Sequence, residues 1–407
     1  MTESGGGVAI LSKPKILAFG IVCNVSLLGY FKYSDFFIEN FNLLTGSDTG
    51  FVYLTLPLAI SFFTFQQIAY LVDSYKGEAK GYGFLDYSLF VTFFPQLIAG
   101  PIVHHKEMMP QFSIAENKKI SHRNISLGIF IFSIGLFKKV VIADSFAVWA
   151  NYGFDSTDAL SFFEAWATSL SYTFQLYFDF SGYTDMAIGL AILFNIQLPI
   201  NFNSPYKSFN IQDFWRRWHV TLSRFLRDYI YIPLGGNKKG SGNTYLNLMA
   251  TFIIGGIWHG AGWNFLFWGG LHGAAISLHR LWQVQGIRLW GWFSWFLTFN
   301  FVNVAWVFFR AESWDGAMRV LAGMFHFGNI ELSSFVESLS GNINGQDYLF
   351  AYILLAFLFV LFLKNTMEIS GGLVRNIGTL CFNVFVFVLS VYFMSMGGYT
   401  QFLYFNF

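Results

Sequence analysis

A histidine inside an apolar stretch is the first residue here that asks for a chemical explanation. His259 lies in FIIGGIWHGAGWNFLFWGGLHG (252–273), about 13 residues after the run begins at Leu246. At 1.5 Å per helical residue that is roughly 20 Å along a helix. An ionisable ring at such depth in a bilayer is a functional candidate, because its charged form must be offset or the ring must stay neutral. The plainer reading is a neutral imidazole hydrogen-bonded between packed helices. Two features favour chemistry. Gly255, Gly256 and Gly260 surround His259 at small-x-x-x-small spacing, which predicts close backbone approach and room for a substrate. His219 stands on the apolar side of 211–230, beside Trp215 and Trp218, where a surface-seeking helix has no reason to place a polar ring. Turned inward, it meets His259 at a reaction centre reached from the cytoplasm. His272, 13 residues after His259, is a third candidate for the same centre.

Other polar residues carry weaker signals. Asp179 and Asp185, with Gly182 between them in LYFDFSGYTDMAIG (176–189), read either as carboxylates of a broken helix facing a cavity or as salt-bridge partners of the arginines that follow, and the second is preferred. His104, His105 and His279 are expected in interfacial water. Cys23 and Cys381 lie in apolar runs and are expected as small buried hydrophobes, not a redox pair. Zinc spacings, HExxH, a G-x-S-x-G elbow and a dinucleotide fingerprint do not occur, so the sequence offers no metal motif and no bound cofactor.

These residues need elements to hold them, and composition says which kind. Of 407 residues 55% are hydrophobic and only 12% charged, against roughly 25% charged in a soluble domain. With 52 Phe, 20 Tyr and 13 Trp and a mean hydropathy of +0.49, this is a chain that faces lipid. A net charge of +1 excludes nucleic acid as a partner. Runs near 15–31, 51–72, 86–103, 125–149, 160–178, 183–198, 246–261, 263–279, 290–309, 347–364 and 377–396 suit membrane crossing. The expected fold is an all-α polytopic integral membrane protein, multi-pass in the plasma (inner) membrane. It should have about 9–11 transmembrane helices around a central funnel, with amphipathic and re-entrant cytoplasmic helices, as a single domain over 1–407. Pro95, Pro101 and Gly182 predict breaks, tolerated only where protein or a water-filled cavity covers the backbone. Met1 to Ser12 shows no secretory signal pattern.

The long polar interruption, about 199–245, carries Lys207, Arg216, Arg217, Arg224, Arg227, Lys238 and Lys239 against Asp213 and Asp228, which marks it as a cytoplasmic insertion. Within it, 211–230 has helical spacing with Phe214, Trp215, Trp218, His219, Leu222, Phe225, Leu226 and Tyr229 on one face, and predicts an amphipathic helix at the interface. GGNKKGSGN (235–243) reads as a flexible loop without Walker spacing. From composition and breaks alone, a transporter or flippase for a small or lipid-linked anionic substrate stays open, although no internal repeat supports it.

Five segments carry a resemblance: FFPQLIAGPIVHHKEMMPQF (93–112), FDFSGYTDMAIGLAILFNIQLPINFNSPY (178–206), FWRRWHVTLSRFLRDYIYIPLGG (214–236), WHGAGWNFLFWGGLHG (258–273) and WVFFRAES (306–313). Together they resemble the membrane-bound O-acyltransferase superfamily, in its alginate O-acetyltransferase (AlgI-like) branch, with the teichoic acid D-alanyl transferases as more distant cousins. The likeness runs from about residue 15 to the C-terminal FLYFNF; it departs at the start, where the family's additional N-terminal helices are expected to be missing. It implies acyl transfer from a cytoplasmic thioester, acetyl-CoA or an acyl-carrier protein, toward hydroxyls of an exported polysaccharide, with a separate periplasmic or extracellular acetyltransferase as a possible partner. It further implies that His259 is the family's catalytic histidine and His219 the histidine of its W-R-R-W-H motif. A neutral imidazole is a competent general base for such a step, worth about 10²–10⁴-fold. The sequence does not say which groups donate to the developing oxyanion; Asn264, Trp263 and His219 are within reach.

Overall fold

The structure, a computed structural model, describes residues 12–79, 81–98, 100–287, 289–329, 348–374, 376–396 and 402–403. The N-terminal segment without a signal pattern and most of FLYFNF lie outside them. Among the described residues the chain is helical and contains no strand. Four helices among the described residues are long and apolar enough to cross a membrane: Lys13–Thr45, His122–Asp155, Gly291–Arg310 and Ile377–Met396. The chain is a multi-pass membrane protein.

Helix α1 (Lys13–Thr45) leads to α2 (Ile60–Lys76). The proline-bearing run then breaks as expected: α3 (Phe84–Thr92) ends at Phe93, α4 (Phe94–Leu97) holds Pro95 in its first turn, and an extended stretch leads to α5 (His105–Ser113). Two side-chain amides, from Gln66 and Gln96, donate to the Phe90 carbonyl near that break, at 3.2 and 2.9 Å. A buried carbonyl freed from its helix is thereby satisfied.

The expected break at Gly182 does not occur. The runs 160–178 and 183–198 are one helix, α8 (Phe162–Leu193), lying antiparallel to α6 (His122–Phe137). Gly182 serves packing instead. A Cβ on it would stand 2.7 Å from the Gly135 carbonyl oxygen, and one on Gly135 would stand 2.5 Å from that of Gly182; Gly128 and Gly189 repeat the arrangement one heptad away. Two glycine pairs thus let the backbones touch, a means of helix association where lipid supplies no hydrophobic drive.

After α6 the helix widens to a π-turn over Lys138–Ala143 before α7 (Asp144–Asp155). The widening carries both lysines toward α8. Lys138 pairs with Asp185 at 2.6 Å, and Lys139 with Asp179 at 2.8 Å and Asp144 at 2.6 Å. The carboxylates are therefore salt-bridged, but to the two lysines and not to the arginines of 211–230. The remaining oxygen contacts bind other parts of the chain: Asp185 accepts from the Thr366 hydroxyl at 2.6 Å, and Asp179 from the Leu403 backbone N–H at 3.0 Å. Neither is left facing a cavity as an unpaired acid.

Segment 211–230 is not one amphipathic helix on the interface. It is α9 (Ile211–Arg217), a reversal at Trp218–His219, α10 (Val220–Leu226) and a π-turn over Arg227–Tyr231. Phe214, Trp215, Trp218, His219, Leu222, Phe225 and Leu226 are all buried, so the apolar face belongs to the protein core. The segment 235–243 is only partly a loop, because α11 (Gly240–His259) begins inside it. A break at 260–262 separates α11 from α12 (Trp263–Val284); α13 (Gly291–Arg310) and α14 (Trp314–Phe325) follow, then α15 (Leu349–Phe362), α16 (Thr366–Gly371) and α17 (Ile377–Met396). Cys23 and Cys381 are free and exposed on the outer faces of α1 and α17, not buried as composition suggested.

Candidate active site

His259 is the last residue of α11. Gly260 and Gly262 continue in extended backbone, so the helix stops without a left-handed cap and its terminal carbonyls turn to other partners. The imidazole is 3% exposed and enclosed by aromatic rings: Trp258 at 4.8 Å between centroids, Phe309 of α13 at 5.0 Å and Trp268 of α12 at 5.1 Å, all edge-on. These protein side chains, not lipid-facing ones, make the wall.

The glycines near His259 do not open space for a substrate. A Cβ on Gly256 would lie 2.3 Å from the Phe265 carbonyl oxygen, one on Gly269 would lie 2.4 Å from that of Phe252, and one on Gly260 would overlap the Phe265 ring at 2.1 Å. They bring α11 and α12 into backbone contact. That contact sets where the end of α11 falls.

His219 belongs to the same aromatic core and is fully buried. Its backbone is left-handed (φ 42°, ψ 54°), uncommon for a residue with a Cβ, and it forms the reversal between α9 and α10. Neighbouring backbone bonds pin this turn: Val220 N–H donates to the Asn201 carbonyl at 2.9 Å, and Asn203 N–H to that of Arg217 at 2.9 Å. The Asn201 side-chain oxygen accepts the Thr221 backbone N–H at 3.2 Å and the Thr221 hydroxyl at 2.8 Å, and lies 3.1 Å from His219 Nδ1. Because a backbone N–H can only donate, that atom is the amide oxygen, and Nδ1 must carry the proton. The neutral ring then keeps its lone pair on Nε2.

The indole of Trp258 connects the two histidines. It stands edge-on to His219 at 6.4 Å, touches His259 and stacks on Phe65 of α2 at 4.7 Å. Trp258 lies against His259 and His219, and Trp268 against His259 and His272, so the three histidines share one aromatic core. His272 is fully buried beside Trp268, at 4.7 Å, and its Nδ1 accepts from Trp215 Nε1 at 3.1 Å.

Asn264 is buried, with its amide nitrogen donating to the Ala311 carbonyl at 2.8 Å, so it ties α12 to the end of α13. Trp263 is 60% exposed and turns to α1, donating to Asn40 at 3.1 Å. It does not join the box around His259; Trp258 and Trp268 do. Asp179 and Asp185 are held in the lysine pairs described above.

His104 and His105 are buried, not in interfacial water. His105 Nε2 lies 3.2 Å from Asp73, whose carboxylate also accepts from Tyr229 at 2.9 Å, and His104 Nδ1 is 3.1 Å from the same hydroxyl. His279 is half-buried on α12. Two further residues contact this core: Asn201, within 178–206, lies against His219, and Lys32, at the end of the apolar run 15–31 through which the helix continues, against the Trp258 carbonyl. A lysine embedded in 33 helical residues was the available signal. Among the described residues no group of His, Cys, Asp and Glu could hold a metal ion.

The sequence profile described as MBOAT, membrane-bound O-acyltransferase family, matches residues 10–312. The chain is 55% identical over 358 residues to a peptidoglycan O-acetyltransferase of Helicobacter pylori, covering 81% of this chain and 68% of the relative. It is 36% identical over 424 residues to a probable alginate O-acetylase AlgI of Pseudomonas putida, covering 99% and 87%. A teichoic acid D-alanyltransferase of Streptococcus thermophilus is 27% identical over 236 residues, covering 55% and 57%.

Proposed function

The chain belongs to the membrane-bound O-acyltransferase family, and from that premise we propose that it transfers an acetyl group from a cytoplasmic thioester toward hydroxyls of an exported cell-surface polysaccharide, with His259 as general base. The observation that carries the reading is the enclosure of His259 at the broken end of α11 beside His219. In the step, an acceptor hydroxyl oxygen attacks the thioester carbonyl and its proton passes to the imidazole of His259. The carbon–sulfur bond breaks, and the departing thiolate takes up that proton from His259. A thiolate is a good leaving group at neutral pH, so positioning and donors to the oxyanion supply the rest of the acceleration. His219, with its lone pair on Nε2, acts beside His259 as an acceptor that orients it. The donor is acetyl-CoA or an acyl-carrier protein, and an extracytoplasmic acetyltransferase completes delivery to the polymer. The acceptor is a sugar hydroxyl of an alginate-like or cell-wall polymer, the classes named for the relatives. A transporter built on a proton relay needs membrane carboxylates that are free to titrate, and Asp179 and Asp185 are both engaged by lysines.

The test is His259→Ala in cells that express the full chain and depend on it for envelope O-acetylation. Acetate released from the envelope polysaccharide by mild alkali should fall to background at matched folded protein. Acetate at the level of the unsubstituted chain would remove the base assignment.

A further inference from the structure

We propose that Lys32 and Tyr33 of α1 form the C-terminal cap of α11 and act as positioning residues for His259, an inference that rests on the general-base role proposed above. The last carbonyls of a helix have no partner within it and carry its negative dipole end. In α11 the residue after the helix, Gly260, is extended and returns no backbone N–H. The carbonyls of Ile257 and Trp258, the two residues before His259, are instead taken from across the protein. Lys32 Nζ donates to the Trp258 carbonyl at 2.6 Å and to the Ser61 hydroxyl at 3.3 Å, and the Tyr33 hydroxyl donates to the Ile257 carbonyl. The same nitrogen lies 5.8 Å from the centre of the Trp258 indole, the ring against both histidines.

This arrangement does two things at once. It fixes the backbone one residue from His259, so the imidazole is aimed from a held end and not from a frayed one. It also sets a hydrogen-bond donor at the negative end of the helix dipole, on the carbonyl of the residue next to His259. Displacement of a catalytic group by about 1 Å costs on the order of 10²-fold in rate, so a cap that holds the last turn has leverage on the chemical step without touching substrate. Helix α1 is otherwise mostly exposed along its length, with Leu28 its one buried residue. Lys32 therefore gives that helix a function at the site.

The experiment compares Lys32→Met, Lys32→Gln and Lys32→Arg in the full chain, read as base-released acetate per folded protein in cells, with size-exclusion profile and melting temperature measured on the detergent-solubilised protein. Met and Gln should each lose about tenfold or more, whereas Arg, which keeps both charge and donors, should recover most of the activity. Activity in the Met variant equal to the unsubstituted chain, or equal losses in Arg and Met at equal folding, would overturn the proposal. If the Met and Gln variants do not accumulate, Tyr33→Phe carries the test: a several-fold loss supports the cap, and unchanged activity sinks it. His259→Ala is run alongside. Retained activity there defeats the general-base reading, whereas a dead His259→Ala beside a fully active Lys32→Met defeats only the cap.

Discussion

The side-chain oxygen of Asn201 lies 3.1 Å from Nδ1 of His219 and also accepts from the backbone N–H of Thr221, which sets the tautomer of the histidine. A partner on the far nitrogen of a functional imidazole commonly fixes both ring orientation and basicity. Asn201 is fully buried, so its loss would leave the His219 N–H and the Thr221 N–H without their shared acceptor. His219→Ala should lower O-acetylation by roughly 10- to 100-fold without reaching the background of His259→Ala, and Asn201→Ala by less. Equal losses for His219→Ala and His259→Ala would instead mark one coupled unit.

The glycine seam between α6 and α8 predicts a stability effect with no chemical component. Gly182→Ala should lower the melting temperature by the equivalent of about 1–3 kcal/mol, because its Cβ meets backbone and not a movable side chain. Gly256→Leu should fail in the same way, by separating α11 from α12. A well-folded, inactive Gly256→Leu would show that the glycine borders substrate space after all.

Lys138 and Asp185 form a pair with both side chains largely buried. Lys138→Met should cost about 3–5 kcal/mol by leaving the carboxylate uncompensated, and Lys138→Met combined with Asp185→Asn should recover much of that loss. Thermal melts of the four proteins in one detergent measure the coupling. Additive effects would place the pair outside the stability of the fold.

Glu107 of α5 accepts from Arg224 of α10 at 2.8 Å. Burial pushes its carboxyl up, but hydrogen bonding to and the charge of the Arg224 guanidinium outweigh that, and the group is held below the ordinary glutamate range. A carboxyl depressed in the folded state stabilises it above the unfolded-state value, near 4.3, and this contribution disappears as pH falls through the folded value. Solvent screens the half-exposed pair, so the effect is small. Glu107→Gln should melt lower than the unsubstituted chain at pH 7 and converge with it below about pH 4. Curves that stay parallel to pH 3 would refute the assignment.

The segment 207–239 should face the cytoplasm, given its basic excess. A cysteine placed at exposed Lys238, with Cys23 and Cys381 replaced because both are exposed, should resist membrane-impermeant maleimide in intact cells and react in opened ones. Labelling in intact cells would invert the topology and move donor entry to the opposite face.

Local sequence was enough to determine the class of the protein and to single out the histidines that pack around the end of α11. Apolar run length and aromatic content follow from the solvent a segment must face, and an imidazole deep in such a run stands out because burying it has a cost. The breaks at Pro95 and Pro101 and between α11 and α12 were legible for the same reason: proline and glycine act on the residues beside them. Tertiary structure alone decided which partners the buried polar groups take. Gly182 resembles a helix breaker until Gly135 is opposite it, and the two aspartates choose lysines because a π-turn rotates Lys138 and Lys139 toward α8. Segment 211–230 has the period of a surface helix, yet it folds back at His219 because Asn201 and Asn203, well before it in the chain, bind the reversal. Lys32 reaches Trp258 across 226 positions. Hydrogen bonds and contact ion pairs are strong in a low-dielectric interior and form only at close approach, so they are settled by what packing brings within about 3 Å, a distance that sequence spacing does not encode.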